Sequence, residues 1–346
     1  MRFGPSPNRI LDGPRTAPGE DALKTAIDAL GGEVVKLRSH DGLRLGGRWL
    51  PADPGGHEPL AASERGPWGD SWRPDPYEAI VLLHGWTGSI GPDLVAFGPT
   101  LRRTAGVLGL DFRGHGTSDY GPTTFGLYEI EDVAGALTWL GERGIRRVAL
   151  VGTSMGGIVA IASVVVLGDG SLTQADEDPS APAAAIDAPR PRIVGVVGES
   201  VPPDLRVPIA NRMPLPLGGP IRRALAGRMF AAASRQVGGD IRATEPGRIV
   251  SLVAPVPLLL IYGTADRTVP PAQGRRLAKL AGPNAEHWEV PGAGHSVARG
   301  AQPEAWDLRV SQFLRRAFFG SREAVPIIQR SGAPKPESAH PGPEGD

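Results

Sequence analysis

The sequence contains no cysteine, which excludes disulfide staples, thiol nucleophiles and thiolate-built metal sites. It has no net charge either: 37 basic side chains balance 37 acidic ones, so no overall field draws it to nucleic acid or anionic lipid. Long apolar runs are missing. The longest, Ile158 to Leu167, is about half the roughly 20 residues that span a bilayer, so a buried helix is expected rather than a membrane span. The opening residues MRFGPSPNRILDGPRTAPG lack the apolar stretch of a secretory signal, and the expected location is cytoplasmic. No H-E-x-x-H metal pair and no G-x-x-x-x-G-K-[ST] phosphate loop occur, and Gly114 to Asp119 lacks the third glycine of a dinucleotide fingerprint. Neither a metal nor a cofactor is expected.

At 346 residues the chain fits one large α/β domain with insertions, or two domains. The 48 glycines and 36 prolines gather at both ends and in residues 51–76 and 168–192, which reads as arms and insertions. Residues 1–32 are expected to be an N-terminal arm, 33–320 the folded domain, 168–192 a flexible insertion and 321–346 a disordered tail, because the tail has too few apolar residues to offset ordering. Within the domain, EVVKLRSH and LRLGGRWLP read as a hairpin across a two-residue Asp41-Gly42 turn. Six runs then read as strands buried on both faces: 79–83, 106–111, 148–151, 193–197, 257–262 and 285–290. Helical patterns separate them at 128–143, 155–167, 271–281 and 303–318. Alternating strands and helices predict a mostly parallel sheet with helices on both faces.

One motif stands out. A strand ends at Gly152 and a helix starts directly after Ser154, giving Gly152-Thr153-Ser154-Met155-Gly156, the G-x-S-x-G pattern that exposes a serine on a strained strand-to-helix turn. Gly152, Gly156 and Gly157 would remove side chains that otherwise collide with the adjoining strand and helix. Unpaired N–H groups at the helix start make the serine's surroundings receptive to negative charge.

A serine hydroxyl needs a base, and the base needs a third group to fix its tautomer. Of seven histidines, His40, His57 and His340 lie in turn-like or tail segments and read as solvated, while His287 reads as packed in a strand. His295 lies in the glycine-rich loop Pro291-Gly292-Ala293-Gly294-His295, just past the last strand, where active-site loops collect. Asp266 follows the strand before it. Glu199, after the strand IVGVVGES, competes for the acid role, with Asp266 preferred.

The chain resembles the α/β-hydrolase superfamily of serine hydrolases, and within it the esterase and serine-aminopeptidase-like group. The resemblance spans residues 33–318 and rests on His84-Gly85-Trp86-Thr87-Gly88, the run Asp111-Phe112-Arg113-Gly114-His115-Gly116-Thr117-Ser118-Asp119, the Ser154 elbow, and the Asp266 and His295 loops in that order. It implies an α/β-hydrolase fold with an eight-stranded, mostly parallel sheet and a small helical lid over about residues 201–248. It further implies Ser154, Asp266 and His295 as a catalytic triad, and the backbone N–H groups of Trp86 and Met155 as an oxyanion hole. The partner implied is a small-molecule acyl substrate. Trp86 either lines the acyl site or covers the core, while His84, His115, Asp111, Arg113 and Asp119 are expected to tie loops together. In the lid, residues 220–236 read as one amphipathic helix with Ile221, Leu225 and Met229 inward. Solvation accounts for Arg222, Arg223, Arg228 and Arg235 on its other faces more simply than an anion clamp does. Ester hydrolysis is the expected activity, with peptidase, thioesterase and a non-catalytic binding protein as alternatives.

Overall fold

The computed structural model describes residues 11, 20–53, 66–69, 72–86, 88–168 and 190–323. Almost all of the proposed insertion 168–192 and tail 321–346 lies outside them. Eight strands form one sheet: β1 (Glu33–Arg38), β2 (Arg44–Leu50), β3 (Glu78–Leu83), β4 (Gly106–Leu110), β5 (Arg147–Thr153), β6 (Arg192–Glu199), β7 (Leu258–Gly263) and β8 (Ala285–Val290). Their order is β1-β2-β4-β3-β5-β6-β7-β8. β1 and β2 are antiparallel to their neighbours, and β3 to β8 run parallel. All six parallel strands therefore deliver the loops at their carboxyl ends to one edge.

The alternation of side chains along β3 shows why both faces need covering. Ile80 and Leu82 join one core cluster, with Leu94, Phe97, Trp306 and Val310. Ala79, Val81 and Leu83 join the other, with Val133, Leu137, Ile158 and Leu277. The first face is covered by α1 (Glu20–Ala29), α2 (Ile90–Leu101) and α8 (Pro303–Glu323), the second by α3 (Glu129–Gly141), α4 (Met155–Leu167) and α7 (Pro271–Ala281). Every residue of α4 from Met155 to Val164 is buried. Each large aliphatic side chain there contributes about 1.5–3 kcal/mol relative to exposure, which anchors the turn preceding the helix.

Several local expectations change in the folded chain. The hairpin forms, but its connection is His40-Asp41-Gly42 rather than two residues. Ser39 N–H donates to Leu43 O at 2.9 Å and Gly42 takes φ 95°, because His40 N–H is drawn to Glu131 O of α3. β8 is not apolar on both faces: it is the sheet edge, and Ala285 to Glu289 are only half-buried. α2 is an addition, its pattern having been obscured by Gly91, Pro92, Gly98 and Pro99. In the expected arm, residues 20–29 are helical and Ile27 is buried. α8 runs five residues beyond 318, where Arg322 pairs with Glu78 at 2.7 Å and lies over Trp72.

The segment expected to form the lid contains more than one helix: α5 (Arg206–Arg212) and α6 (Gly219–Val237) are followed by short helical turns at Ile241–Thr244 and Pro246–Ile249. The inward stripe of α6 is Ala226, Phe230 and Ala233; Ile221, expected inward, is 54% exposed. Small alanines let α6 approach closely while Phe230 fills the gap, so the stripe falls one position away from the one bulk hydrophobicity suggests. Among the described residues no helix is long and apolar enough to cross a membrane.

Candidate active site

Ser154 sits between the end of β5 and the start of α4 at φ 50° and ψ −108°, a conformation that costs an L-residue free energy. Its N–H donates to Glu199 O at 2.7 Å. The surrounding glycines are required by contact: a Cβ on Gly152 would stand 2.3 Å from Gly156 C, and one on Gly156 would stand 2.1 Å from Leu83 O. A Cβ on Gly157 would meet Val201 at 2.4 Å.

His295, carried past β8, and Asp266, carried past β7, meet at this turn. His295 Nδ1 lies 2.8 Å from Asp266 Oδ2, and His295 Nε2 lies 3.0 Å from Ser154 Oγ. A carboxylate can only accept, so the proton of neutral His295 belongs on Nδ1, leaving the Nε2 lone pair to face the serine hydroxyl. Asp266 Oδ1 accepts Thr268 N–H and Val269 N–H, each at 2.8 Å. Burial opposes ionisation of Asp266, but His295, the Val269 N–H and the Ser200 hydroxyl together hold its pKa below the usual carboxylate value.

Two neighbours pin the loop that carries His295. Ser296 N–H donates to Ser200 Oγ at 3.0 Å, and Ala298 N–H donates to Glu199 Oε1 at 2.8 Å. Ser200 therefore contacts both Asp266 and the residue after His295. Sequence reading missed it; a single serine beside the more conspicuous Glu199 carries no signal until the loops are assembled. Glu199 is not the histidine's partner. Its carboxyl is buried, receives Trp306 Nε1–H at 3.3 Å, and is pushed up to about 7 by burial and by the charges of Asp93 and Asp266.

The loop after β3 lies against the same turn: a Cβ on Gly85 would be 3.7 Å from Ser154 Cβ. The backbone N–H groups of Trp86 and Met155 donate no hydrogen bond among the described residues. The Trp86 ring is buried against Phe125, centroids 5.5 Å apart, and Phe125 in turn meets Phe230 of α6 at 5.8 Å. His115 holds this loop through Nε2 to Trp86 O at 2.8 Å. His84 receives Phe112 N–H on Nε2 and faces Gly85 O through Nδ1, and burial lowers its pKa to about 4. Asp111 Oδ1 accepts the Ile90 N–H that opens α2. Arg113 is wholly engaged by Asp132 and Asp41, and Asp119 binds Arg44. Of the remaining histidines, His40 is exposed and His287 lies beside Tyr262; His57 and His340 lie outside the described residues.

The model of the alpha/beta hydrolase family matches residues 80–306, which include Ser154, Asp266, His295, Glu199 and the Trp86 loop. An uncharacterised protein of Mycobacterium tuberculosis is 28% identical over 292 residues, covering 83% of this chain and 79% of that protein. Among solved structures, an esterase of Pyrococcus furiosus superposes with a TM-score of 0.55 at 23% identity, over 88% of this chain and 99% of its own. A puromycin hydrolase superposes at 0.54 with 19% identity, over 83% of this chain and 39% of its own. With strand order, the turn after β5 and the family match in agreement, the chain belongs to the alpha/beta hydrolase family.

Proposed function

We propose that the protein is a serine hydrolase that cleaves a carboxylic ester, with Ser154 as nucleophile, His295 as general base and acid, and Asp266 as the group that orients His295. The observation that carries this reading is the unbroken hydrogen-bonded line from Asp266 Oδ2 through His295 to Ser154 Oγ, at 2.8 and 3.0 Å. His295 Nε2 takes the hydroxyl proton as Oγ attacks the acyl carbon. It returns that proton to the leaving alcohol, then removes one from the water that releases the acid. Asp266 stays ionised and stabilises the imidazolium in both halves. The Trp86 and Met155 N–H groups are proposed to receive the oxyanion, where one such donor is worth about 3 kcal/mol. In this reading residues 33–320 form the catalytic domain, and the segment 201–248 is a lid over it. The P. furiosus esterase shares the fold and lends the ester class its support.

A fluorophosphonate probe tests the assignment. Intact mass should rise by one adduct, and peptide mapping should put it on Ser154. A folded protein that takes no adduct, or takes it elsewhere, overturns the reading. Turnover of matched ester, thioester and anilide substrates separates the acyl classes, because the same groups serve all three.

A further inference from the structure

From Leu205 to Gly239 the chain has six arginines and no aspartate or glutamate. Arg206 is paired with Asp204 at 2.6 Å. Arg212, at the carboxyl end of α5, has no hydrogen bond or ion pair among the described residues, although it stands close to a carboxylate. Its neighbour Asn211 donates from Nδ2 to Thr268 O at 3.1 Å, which docks this helix end on the Asp266 loop. The Arg212 side chain remains exposed. Surrounding protein lowers its pKa, and the negative charge of Asp266 acts in the opposite direction.

Asp266 is not available as its partner. Its carboxylate has no solvent exposure and already serves Thr268, Val269, His295 and Ser200. The next helix adds a second guanidinium in need of an acceptor. α6 packs against α5, where a Cβ on Gly227 would lie 3.5 Å from Arg206 Cδ. In the first turn of α6, Arg222 Nε is shut off from solvent without a hydrogen-bond partner. A guanidinium N–H shut off from water without an acceptor, as at Arg222, is unfavourable, and an anion arriving with a ligand relieves the cost.

We propose that Arg212, supported by Arg222, receives an anionic group of the substrate, so that this site hydrolyses carboxylic esters bearing a carboxylate. The inference rests on the serine-hydrolase reading above and names its substrate class. Arg212 is accessible from solvent, its fork suits bidentate carboxylate binding, and it lies at the loop that orients the base.

Two matched pairs of esters test this. Mono-p-nitrophenyl glutarate against p-nitrophenyl valerate places the carboxylate on the acyl side, and 4-carboxyphenyl butyrate against its methyl ester places it on the alcohol side. In at least one pair, wild-type kcat/KM should favour the anion by about tenfold or more. Arg212→Ala and Arg212→Gln should both abolish that preference, chiefly through KM, and Arg212→Lys should retain part of it. Arg223→Ala, on the exposed side of α6, should leave the preference intact. No anion preference in either pair, with neutral esters still cleaved at Ser154, overturns the inference and leaves the hydrolase reading standing. A preference that survives both Arg212 variants also overturns it, as does one that appears only on phosphatidylglycerol vesicles. Failure of Ser154 to label, with all four esters inert, overturns the underlying reading itself.

Discussion

The backbone carbonyl of Glu199 accepts the N–H of Ser154 at 2.7 Å, yet the Glu199 carboxyl serves Ala298 N–H and Trp306 Nε1–H. An acid in direct main-chain contact with the nucleophile is thus committed to holding the loop beyond His295. Asp266, one strand further along, faces the imidazole.

The two acids should therefore respond differently to neutralisation. Asp266→Asn leaves His295 without a carboxylate to fix its tautomer and should lower kcat by about 10⁴-fold. Glu199→Gln should lower it by at least about 100-fold less, because it touches the base only through the loop. Single-turnover rates on an activated ester check the ranking. Equal losses would return Glu199 to the acid role.

Much of this site was legible because its demands are local. The glycines around Ser154 mark contacts that exclude a Cβ, and apolar runs mark strands buried on both faces. What was illegible depends on partners distant in sequence. Asp41 is used to bind Arg113 and not to make a two-residue turn, and α2 forms through residues whose propensities disfavour a helix. The inward stripe of α6 is set by how closely alanines allow it to pack, which Ile221 and Leu225 do not reveal. Ser200 has no meaning until the β6, β7 and β8 loops meet. Choosing between Asp266 and Glu199 also required the folded geometry, since both follow strands at the same sheet edge.

Backbone geometry at Ser154 predicts a conflict between stability and activity. At φ 50° a glycine is unstrained while alanine is not, so Ser154→Gly should be more stable than Ser154→Ala by about 1–2 kcal/mol, with both inactive. Chemical denaturation of the two variants measures the difference. Equal stabilities would show that the turn carries no strain.

Stability should also depend on pH through Asp93, whose carboxyl is pushed up to about 7 by burial and has Thr153 Oγ1 as its hydrogen-bond partner at 3.3 Å. Folded protein therefore holds a proton that the unfolded chain releases near pH 4. This contribution is fully present below the unfolded value and is lost as pH rises to about 7. Asp93→Asn removes the titration, so its melting temperature should fall less than wild type between pH 5 and 8. At pH 8 it should be the more stable by on the order of 1–2 kcal/mol. Parallel melting curves for the two proteins would contradict the assignment.

His295 should be as indispensable as the serine it faces. His295→Gln removes the Nε2 lone pair that accepts the Ser154 proton, so kcat on an activated ester should fall by at least about 10³-fold, while labelling of Ser154 by the fluorophosphonate slows in parallel. Turnover and labelling near wild-type rates in a folded variant would contradict His295 as the base.

The most direct test of the account is p-nitrophenol release from p-nitrophenyl butyrate by wild type and Ser154→Ala, followed from the first turnover. The account predicts a burst or steady turnover in wild type and a loss of at least about 10⁴-fold in the variant, with both proteins equally folded. Equal turnover by the two would place the nucleophile elsewhere and contradict the central claim.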